Sequence, residues 1–316
     1  MYKIFYDADQ EGLWFKKLSK YLCDAKLIPI PNSKKEQVSY GIDNVLIYDR
    51  PDIILMDNSS VILVLEKTVE VPSGHNVGQR FGRLAAAAQM RIPVIYFGPY
   101  KEFKHGGKTK GPRYMNLRLF HALDKLSSVY NTAVTTINWP VDERCEVIKN
   151  ANQDQCVREY LSVFFDYYAK NGIERLTEHI KEFRFQKDQK TEQIQFEKAE
   201  VKRRKQYEKP PKSVEVLPKV SYVKKYGPLP AELSEANQII LYRIGMKKMR
   251  SDPYAGMASL YHYLYKSENT VMVLHFPNIS SGKWFQQRKN TKTYRMYKAF
   301  ADAILFQDEI VVHDNL

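Results

Sequence analysis

Hydrophobic and polar positions follow helical and strand periods along the chain, and together they predict a mixed α/β protein. Residues 9–25 carry apolar side chains at helical spacing, so we expect the first helix there. Apolar runs at 45–48, 53–56 and 61–65 predict three strands. The turn sequence Asp57-Asn58-Ser59-Ser60 predicts that the last two form a hairpin. The 61–65 run is apolar on both faces, which is typical of a strand inside a covered sheet.

A helix and a fourth strand are predicted next. The alanine-rich stretch 77–90 has a helical pattern, and residues 94–97 form a short apolar run that predicts a buried strand. The order helix, strand, strand, strand, helix, strand implies a parallel crossover within a mixed sheet flanked by helices. Gly78 and Gly82 are predicted to let the second helix pack closely on that sheet.

The balance of charged and apolar residues changes twice after the predicted strand at 94–97. Helical patterns at 115–128 and 153–170 complete a predicted first domain over residues 1–175, with a Lys/Gly-rich loop at 101–113. Residues 176–229 are rich in charge and poor in apolar side chains, which predicts a charged helix and an extended linker. Globular patterning returns over residues 230–316 and predicts a smaller α+β domain.

The composition of the chain favours binding to a polyanion. The 49 Lys and Arg residues exceed the 36 Asp and Glu residues, giving a formal net charge of +13, and 22 Tyr residues accompany them. The charge alone also fits a basic protein without a nucleic-acid role. We find no G-x-x-x-x-G-K-[ST], G-x-S-x-G or H-E-x-x-H motif, so nucleotide-binding P-loops, serine hydrolases and zincins are not indicated.

Cysteine usage and hydropathy predict where the protein works. The three cysteines lack paired C-x-x-C spacing, which indicates a reduced, intracellular protein and, in our interpretation, the prokaryotic cytoplasm. The N-terminal residues have no sustained apolar core of a signal peptide. No window approaches the roughly 20 apolar residues that a spanning helix needs, so we expect no membrane partner.

Two carboxylates carry the candidate chemistry. If residue 57 faces residue 61 in the hairpin, the residue numbers of each cross-strand pair sum to 118. Asp52 then lies opposite Glu66 on one face of the sheet. Like charges this close repel, and Mg²⁺ suits a site of two carboxylates completed by water and phosphate oxygens. Such an ion favours hydrolysis of a phosphodiester. Period-two alternation places Thr68 on the face of Glu66 and turns Lys67 away. A purely structural Asp52 that caps a turn stays open.

These residues carry a resemblance to a known family. Pro51-Asp52, thirteen intervening residues and Glu66-Lys67-Thr68, in the element order given above, resemble the PD-(D/E)xK nuclease superfamily over roughly residues 1–130. The resemblance implies a restriction-endonuclease-like fold and assigns metal binding to Asp52 and Glu66. It places Thr68 where the family has a catalytic lysine.

Threonine supplies no positive charge, so another residue is expected to share that role. The following helix offers candidates, and Gln79 is the strongest because some members of the superfamily carry a glutamine there. His75 is a further catalytic candidate, and Arg80 and Arg83 are assigned to DNA contact.

The segment 280–292 is the candidate recognition element, because it concentrates side chains that contact bases and phosphates. We therefore assign DNA recognition or dimerisation to the domain over residues 230–316. The assigned residues of the segment are Lys283, Gln286, Gln287, Arg288, Lys289, Asn290 and Lys292. A polar surface loop anchored by Trp284 fits equally well.

The leading hypothesis is a magnesium-dependent type II restriction enzyme that cuts double-stranded DNA at a specific sequence. A palindromic target would imply a homodimer. A repair, junction or RNA-directed nuclease of the same fold stays open as an alternative. So does a non-catalytic nucleic-acid-binding protein.

Overall fold

The chain folds into two compact units. The computed structural model describes residues 1–106, 110–148, 154–173, 175–200, 205–247, 253–287, 289 and 291–313. One unit comprises Met1–Gly74 and Arg83–Glu200, and the other comprises His75–Gly82 and Val201–Leu316. Both contain a mixed sheet and helices, so the predicted α/β class is confirmed. None of the helices in these ranges has the length and hydropathy needed to cross a bilayer.

The first unit is built on a six-stranded sheet in the order β2-β1-β3-β4-β5-β8. Its strands are β1 (Tyr2–Tyr6), β2 (Lys26–Pro29), β3 (Ile53–Asp57), β4 (Ser60–Lys67), β5 (Val94–Gly98) and β8 (Val134–Asn138). Strand β3 runs antiparallel to both β1 and β4, whereas β4, β5 and β8 are parallel. The mixed sheet with a parallel crossover therefore agrees with the prediction.

Helices and a small hairpin complete the first unit. The helices are α1 (Asp9–Lys16), α2 (Lys34–Tyr40), the second half of α3 (Asn76–Gln89), α4 (Leu117–Tyr130), α5 (Gln155–Asn171), α6 (Leu176–Glu182) and α7 (Arg184–Ala199). Strands β6 (Lys101–Lys104) and β7 (Gly111–Tyr114) pair with each other where the sequence predicts only a loop. That loop prediction is wrong, because polar side chains do not prevent a short exposed hairpin.

Two further predictions in the first unit are wrong. The helix expected over 9–25 ends at Lys16, because Ser19 starts a 3₁₀ turn in which its hydroxyl accepts the Tyr21 N–H. The strand expected over 45–48 is also a 3₁₀ turn, Asp43–Leu46, in which Val45 and Leu46 are buried. A run of three or four apolar residues shows burial without showing which backbone conformation achieves it.

The β3–β4 hairpin has the predicted register next to Asp52 and Glu66, but its turn is one residue shorter than predicted and a bulge compensates. Asp57 pairs with Ser60 rather than with Val61, because Asn58 adopts a left-handed φ of 51° and closes a two-residue turn. A bulge then shifts the pairing by one residue, which restores the predicted sum of 118 from Leu55↔Leu63 to Ile53↔Leu65. The register near Asp52 and Glu66 therefore depends on this bulge.

Helix α7 packs one face against the edge strand β8 of the first sheet, while much of its remaining surface is exposed. Gln186 Nε2 donates to the carbonyl of Val134 over 3.1 Å, and the Thr135 hydroxyl donates to Gln186 Oε1 over 2.6 Å. The Thr136 hydroxyl donates to Gln193 Oε1, and Gln193 is 1% exposed. Gln186 therefore occupies the Val134 carbonyl, a backbone group that would otherwise be open to pairing with another strand.

The second unit is built on a five-stranded sheet in the order β13-β12-β11-β10-β9. Its strands are β9 (Val214–Pro218), β10 (Gln238–Arg243), β11 (Thr270–His275), β12 (Ala303–Leu305) and β13 (Ile310–Val312). Its helices are the first half of α3, α8 (Lys219–Tyr226), α9 (Pro253–Tyr265), α10 (Ser281–Phe285) and α11 (Lys292–Phe300). Residues 214–226, which the sequence assigns to a linker, form β9 and α8.

Near the start of helix α3, Gly78 packs against Gly256 of helix α9, whereas the sequence predicts that Gly78 packs on the sheet. A Cβ atom added to Gly78 would lie 2.3 Å from Gly256 C and from Met257 N. Both atoms belong to the backbone and cannot move aside independently. A Cβ on Gly82 would instead meet the flexible end of Met296, whose Cε is 3.0 Å away.

We predict that Gly78→Ala lowers the free energy of unfolding by about 1–3 kcal/mol, because the added methyl group overpacks the crossing of α3 and α9. Gly82→Ala is the matched control, since both variants gain the same helix propensity of about 1 kcal/mol. Thermal and denaturant unfolding of the two variants measure the difference. Equal stabilities would show that Gly78 does not limit the helix approach.

Candidate active site

The two predicted acids lie where β3 begins and β4 ends, and the structure brings them together. Asp52 is 5% exposed and Glu66 is fully buried. Arg83 Nη1 donates to both, over 3.3 Å to Asp52 Oδ1 and over 2.9 Å to Glu66 Oε1. The two carboxylates therefore share one face of the sheet, as the register predicted.

Strands on both sides hold Asp52 in place. Its backbone carbonyl accepts a hydrogen bond from the Asp7 N–H, just after β1, over 3.0 Å. Its carboxylate accepts a 2.6 Å hydrogen bond at Oδ2 from the Lys67 N–H, at the end of β4. A carboxylate fixed by a neighbouring backbone donor keeps its second oxygen, Oδ1, directed towards Arg83.

Arg83 neutralises a cluster of three acids. Besides Asp52 and Glu66, Asp49 lies close, with Oδ2 3.7 Å from Arg83 Nε. Burial lowers the pKa of Arg83, but the carboxylates of Glu66, Asp49 and Asp52 raise it more, so the net shift is upward and the guanidinium stays charged. The sequence assigns Arg83 to DNA; the structure places its guanidinium among these carboxylates.

Glu11, on helix α1, is an acid of this region that the sequence analysis missed. Burial raises the pKa of Glu11 to about 7, with the charge of Asp52 as the next cause, while Lys67 acts in the opposite direction. Gly12 fixes α1 against β1, since a Cβ there would lie 2.5 Å from the ring of Tyr6. Glu11 therefore titrates near neutral pH beside the acid pair.

Lys67 is held by aromatic rings, in agreement with its predicted turn away from Glu66. Its ammonium lies 4.6 Å from the ring centroid of Trp14 and 5.3 Å from that of Trp139. Phe97 stacks on both indoles, at centroid distances of 6.0 Å and 4.9 Å. Cation–π attraction holds the Lys67 side chain in this position.

The hydroxyl of Thr68, the residue at the family's lysine position, takes part in a local turn. It donates to the Glu70 carbonyl over 2.8 Å and accepts the Glu70 N–H over 3.2 Å. Thr68 is 5% exposed. Its observed contacts thus stabilise the chain after β4, and its catalytic role stays a prediction.

The other candidates on the helix after β4 fall in the second unit, which includes His75–Gly82. The exposed ring of His75 lies 4.1 Å from that of Tyr254, centroid to centroid. Gln79 and Arg80 are half-buried on the first turns of α3. Their assigned roles stay predictions.

The predicted recognition segment is a short helix and a following turn. Trp284 is fully buried and anchors it, and the Gln287 side chain donates to the Trp284 carbonyl over 3.3 Å. Lys283, Gln286 and Lys289 are exposed, and Lys292 begins α11. Arg288 and Asn290 lie outside the described residues.

The acid pair fits a hard divalent cation in its donor chemistry. Two carboxylate oxygens from different strands converge on one nitrogen, which shows that both reach a single cationic point. Mg²⁺ is commonly held by one or two carboxylates, with water and phosphate oxygens completing its octahedron. In the described ranges no group of three or more His, Cys, Asp or Glu side chains is placed to hold a metal ion together.

We predict that Glu11→Gln stabilises the protein more at about pH 8 than at about pH 5. A carboxyl pKa raised in the folded state means that folding takes up a proton, so the stability of the wild-type chain falls as the pH rises from 4.5 towards 7. Glutamine removes this loss. Thermal unfolding at both pH values measures it, with the exposed Asp9→Asn on the same helix as control. An equal gain at both pH values would contradict the assignment.

Comparison with known proteins adds no family to this description. Neither a protein-family model, nor a curated protein, nor a solved structure matches the chain. The function therefore has to be inferred from the acid pair, its neighbouring charges and the fold that positions them.

Proposed function

We propose that the chain is a magnesium-dependent nuclease that hydrolyses phosphodiester bonds in double-stranded DNA. One observation carries the proposal: Asp52 Oδ1 and Glu66 Oε1, supplied by neighbouring strands, converge on one cationic nitrogen in a buried site. Burying two carboxylates side by side is costly unless a cation joins them. An arrangement of this kind is suited to holding a metal ion next to a phosphate.

Asp52 and Glu66 would hold the Mg²⁺ ion. When bound, the ion supplies stabilisation of negative charge on the phosphate and lowers the pKa of the attacking water. The Lys67 N–H keeps Asp52 oriented, and Arg83 supplies a guanidinium beside the acids that can contact a phosphate oxygen. The positive net charge of the chain favours a polyanionic substrate.

Part of the fold supports this proposal. The antiparallel hairpin of β3 and β4, the crossover helix α3 and the parallel strand β5 agree with the element order of the PD-(D/E)xK resemblance, whereas β1 precedes α1 and the strand expected over 45–48 is a 3₁₀ turn. We include in the proposal the restriction-endonuclease-like fold, cleavage at a specific sequence as in a type II restriction enzyme, and a homodimer for a palindromic site.

Arg83 also favours a second candidate, a nucleic-acid-binding protein without catalysis. Its guanidinium already neutralises Asp52 and Glu66 within hydrogen-bond distance, so the acid pair has a structural explanation. In that case the protein binds DNA and leaves it intact with every divalent ion.

We predict that the wild-type chain cuts plasmid DNA when Mg²⁺ is present and that Asp52→Asn lowers the rate at least about 100-fold, since a metal ligand supplies several kcal/mol. Gel electrophoresis of plasmid incubated with each protein measures the rate. Asp57→Asn, at the opposite end of the same strand, is the matched control and should cut normally.

Discrete fragments would indicate a sequence-specific enzyme, and a smear would indicate a non-specific one. Equal cutting by the wild-type chain and by Asp52→Asn would remove Asp52 from the mechanism. Intact plasmid in every condition, together with DNA binding, would favour the second candidate.

For the recognition segment, we predict that Lys283→Ala and Lys289→Ala each reduce the salt dependence of DNA binding. Loss of one phosphate contact lowers the slope of log K against log salt concentration by about 1. Fluorescence anisotropy with duplex DNA at several salt concentrations measures the slope. Lys170→Ala, at an exposed position of α5, is the control, and an unchanged slope in both recognition variants would exclude phosphate contact there.

A further inference from the structure

Arg83 occupies the position that the proposed function requires for a divalent cation. Its Nη1 lies 2.9 Å from Glu66 Oε1 and 3.3 Å from Asp52 Oδ1. A divalent ion held by the same two oxygens would exclude this nitrogen, both by its volume and by the repulsion between cations. Arg83 and the ion therefore compete for the carboxylates.

A second partner for Arg83 lies on its other side. Asp49 Oδ2 is 3.7 Å from Arg83 Nε, which is beyond hydrogen-bond distance. Among the described residues, Nε is buried and has no hydrogen-bond partner. A shift of less than about 1 Å towards Asp49 would give this donor an acceptor at the usual distance.

Asp49 is itself well placed to receive the guanidinium. Its Oδ1 accepts the Arg50 N–H over 2.8 Å, which fixes the carboxylate, and its side chain is 12% exposed. A charge-assisted hydrogen bond from Arg83 would satisfy a buried donor and keep the positive charge within the acid cluster.

We propose that Arg83 is a positioning residue that exchanges between two partners: it joins Asp52 to Glu66 before a divalent ion binds, and Asp49 holds it once the ion is in place. This inference rests on the proposed function, because it takes the ion site between Asp52 and Glu66 as given. Before the ion binds, Arg83 keeps Asp52 and Glu66 together and charged. Asp49 lowers the free energy that Arg83 needs to leave these two acids. A group that must leave before binding weakens the apparent affinity.

The test measures binding of Mn²⁺ alone to the full chain, by electron paramagnetic resonance of the free ion. We expect Arg83→Gln to bind Mn²⁺ about tenfold more tightly than the wild-type chain, because the competitor is gone. Asp49→Asn should bind several-fold more weakly, because Arg83 loses its second partner. In the double variant the effect of Asp49→Asn should vanish, whereas a direct electrostatic effect of Asp49 on the ion would persist and overturn the exchange.

Asp52→Asn separates this inference from the proposed function. If the wild-type chain binds Mn²⁺ and Asp52→Asn does not, but Arg83→Gln leaves the affinity unchanged, the exchange is wrong and the ion site stands. If neither the wild-type chain nor Arg83→Gln binds Mn²⁺ through Asp52, both the site and the exchange are wrong.

A measurement on the wild-type chain covers the case in which Arg83→Gln does not fold. In ¹⁵N-labelled protein, the Arg83 Nε–Hε resonance, assigned by its loss in Arg83→Lys, should shift downfield as Mg²⁺ is added, because Nε gains a hydrogen bond to Asp49. A resonance that does not move at saturating Mg²⁺ would overturn the exchange.

Discussion

The ion cluster of Arg83 with Asp49, Asp52 and Glu66 is the interaction on which the rest of the first unit depends. Two nearly unexposed carboxylates at the ends of β3 and β4 repel each other, and one guanidinium joins them at 2.9 Å and 3.3 Å. Removing that charge would leave buried anions without a counter-ion. Any function of the site has to use, replace or move this positive charge.

The positions of helix α3 and strands β3, β4 and β5 follow from apolar patterns in the sequence. Run length alone does not explain this success, because the four-residue runs at 53–56 and 94–97 form strands whereas the equally long run at 45–48 belongs in part to a 3₁₀ turn. The two-residue turn at Asn58 and the bulge that offsets it were not predictable, because each depends on how neighbouring strands pair. The two errors in register cancel, so the acids still meet.

The residues of the candidate site were also predictable only in part. Asp52 and Glu66 were predictable because they flank apolar strands at a fixed separation. Arg83 carried a signal as well: an arginine among the buried residues Leu84, Ala85 and Ala86 needs an acidic partner. Glu11 and Asp49 carried none, since their approach to the acid pair results from how β1, α1 and the segment before β3 pack together, which is tertiary information.

Crystals of the full chain grown with Mn²⁺, with diffraction recorded at the manganese absorption edge, test the central claim most directly. The account predicts an anomalous peak between the carboxylates of Asp52 and Glu66, with the Arg83 guanidinium turned to Asp49. Manganese absent from that position, with Arg83 Nη1 still between the two acids, would contradict it.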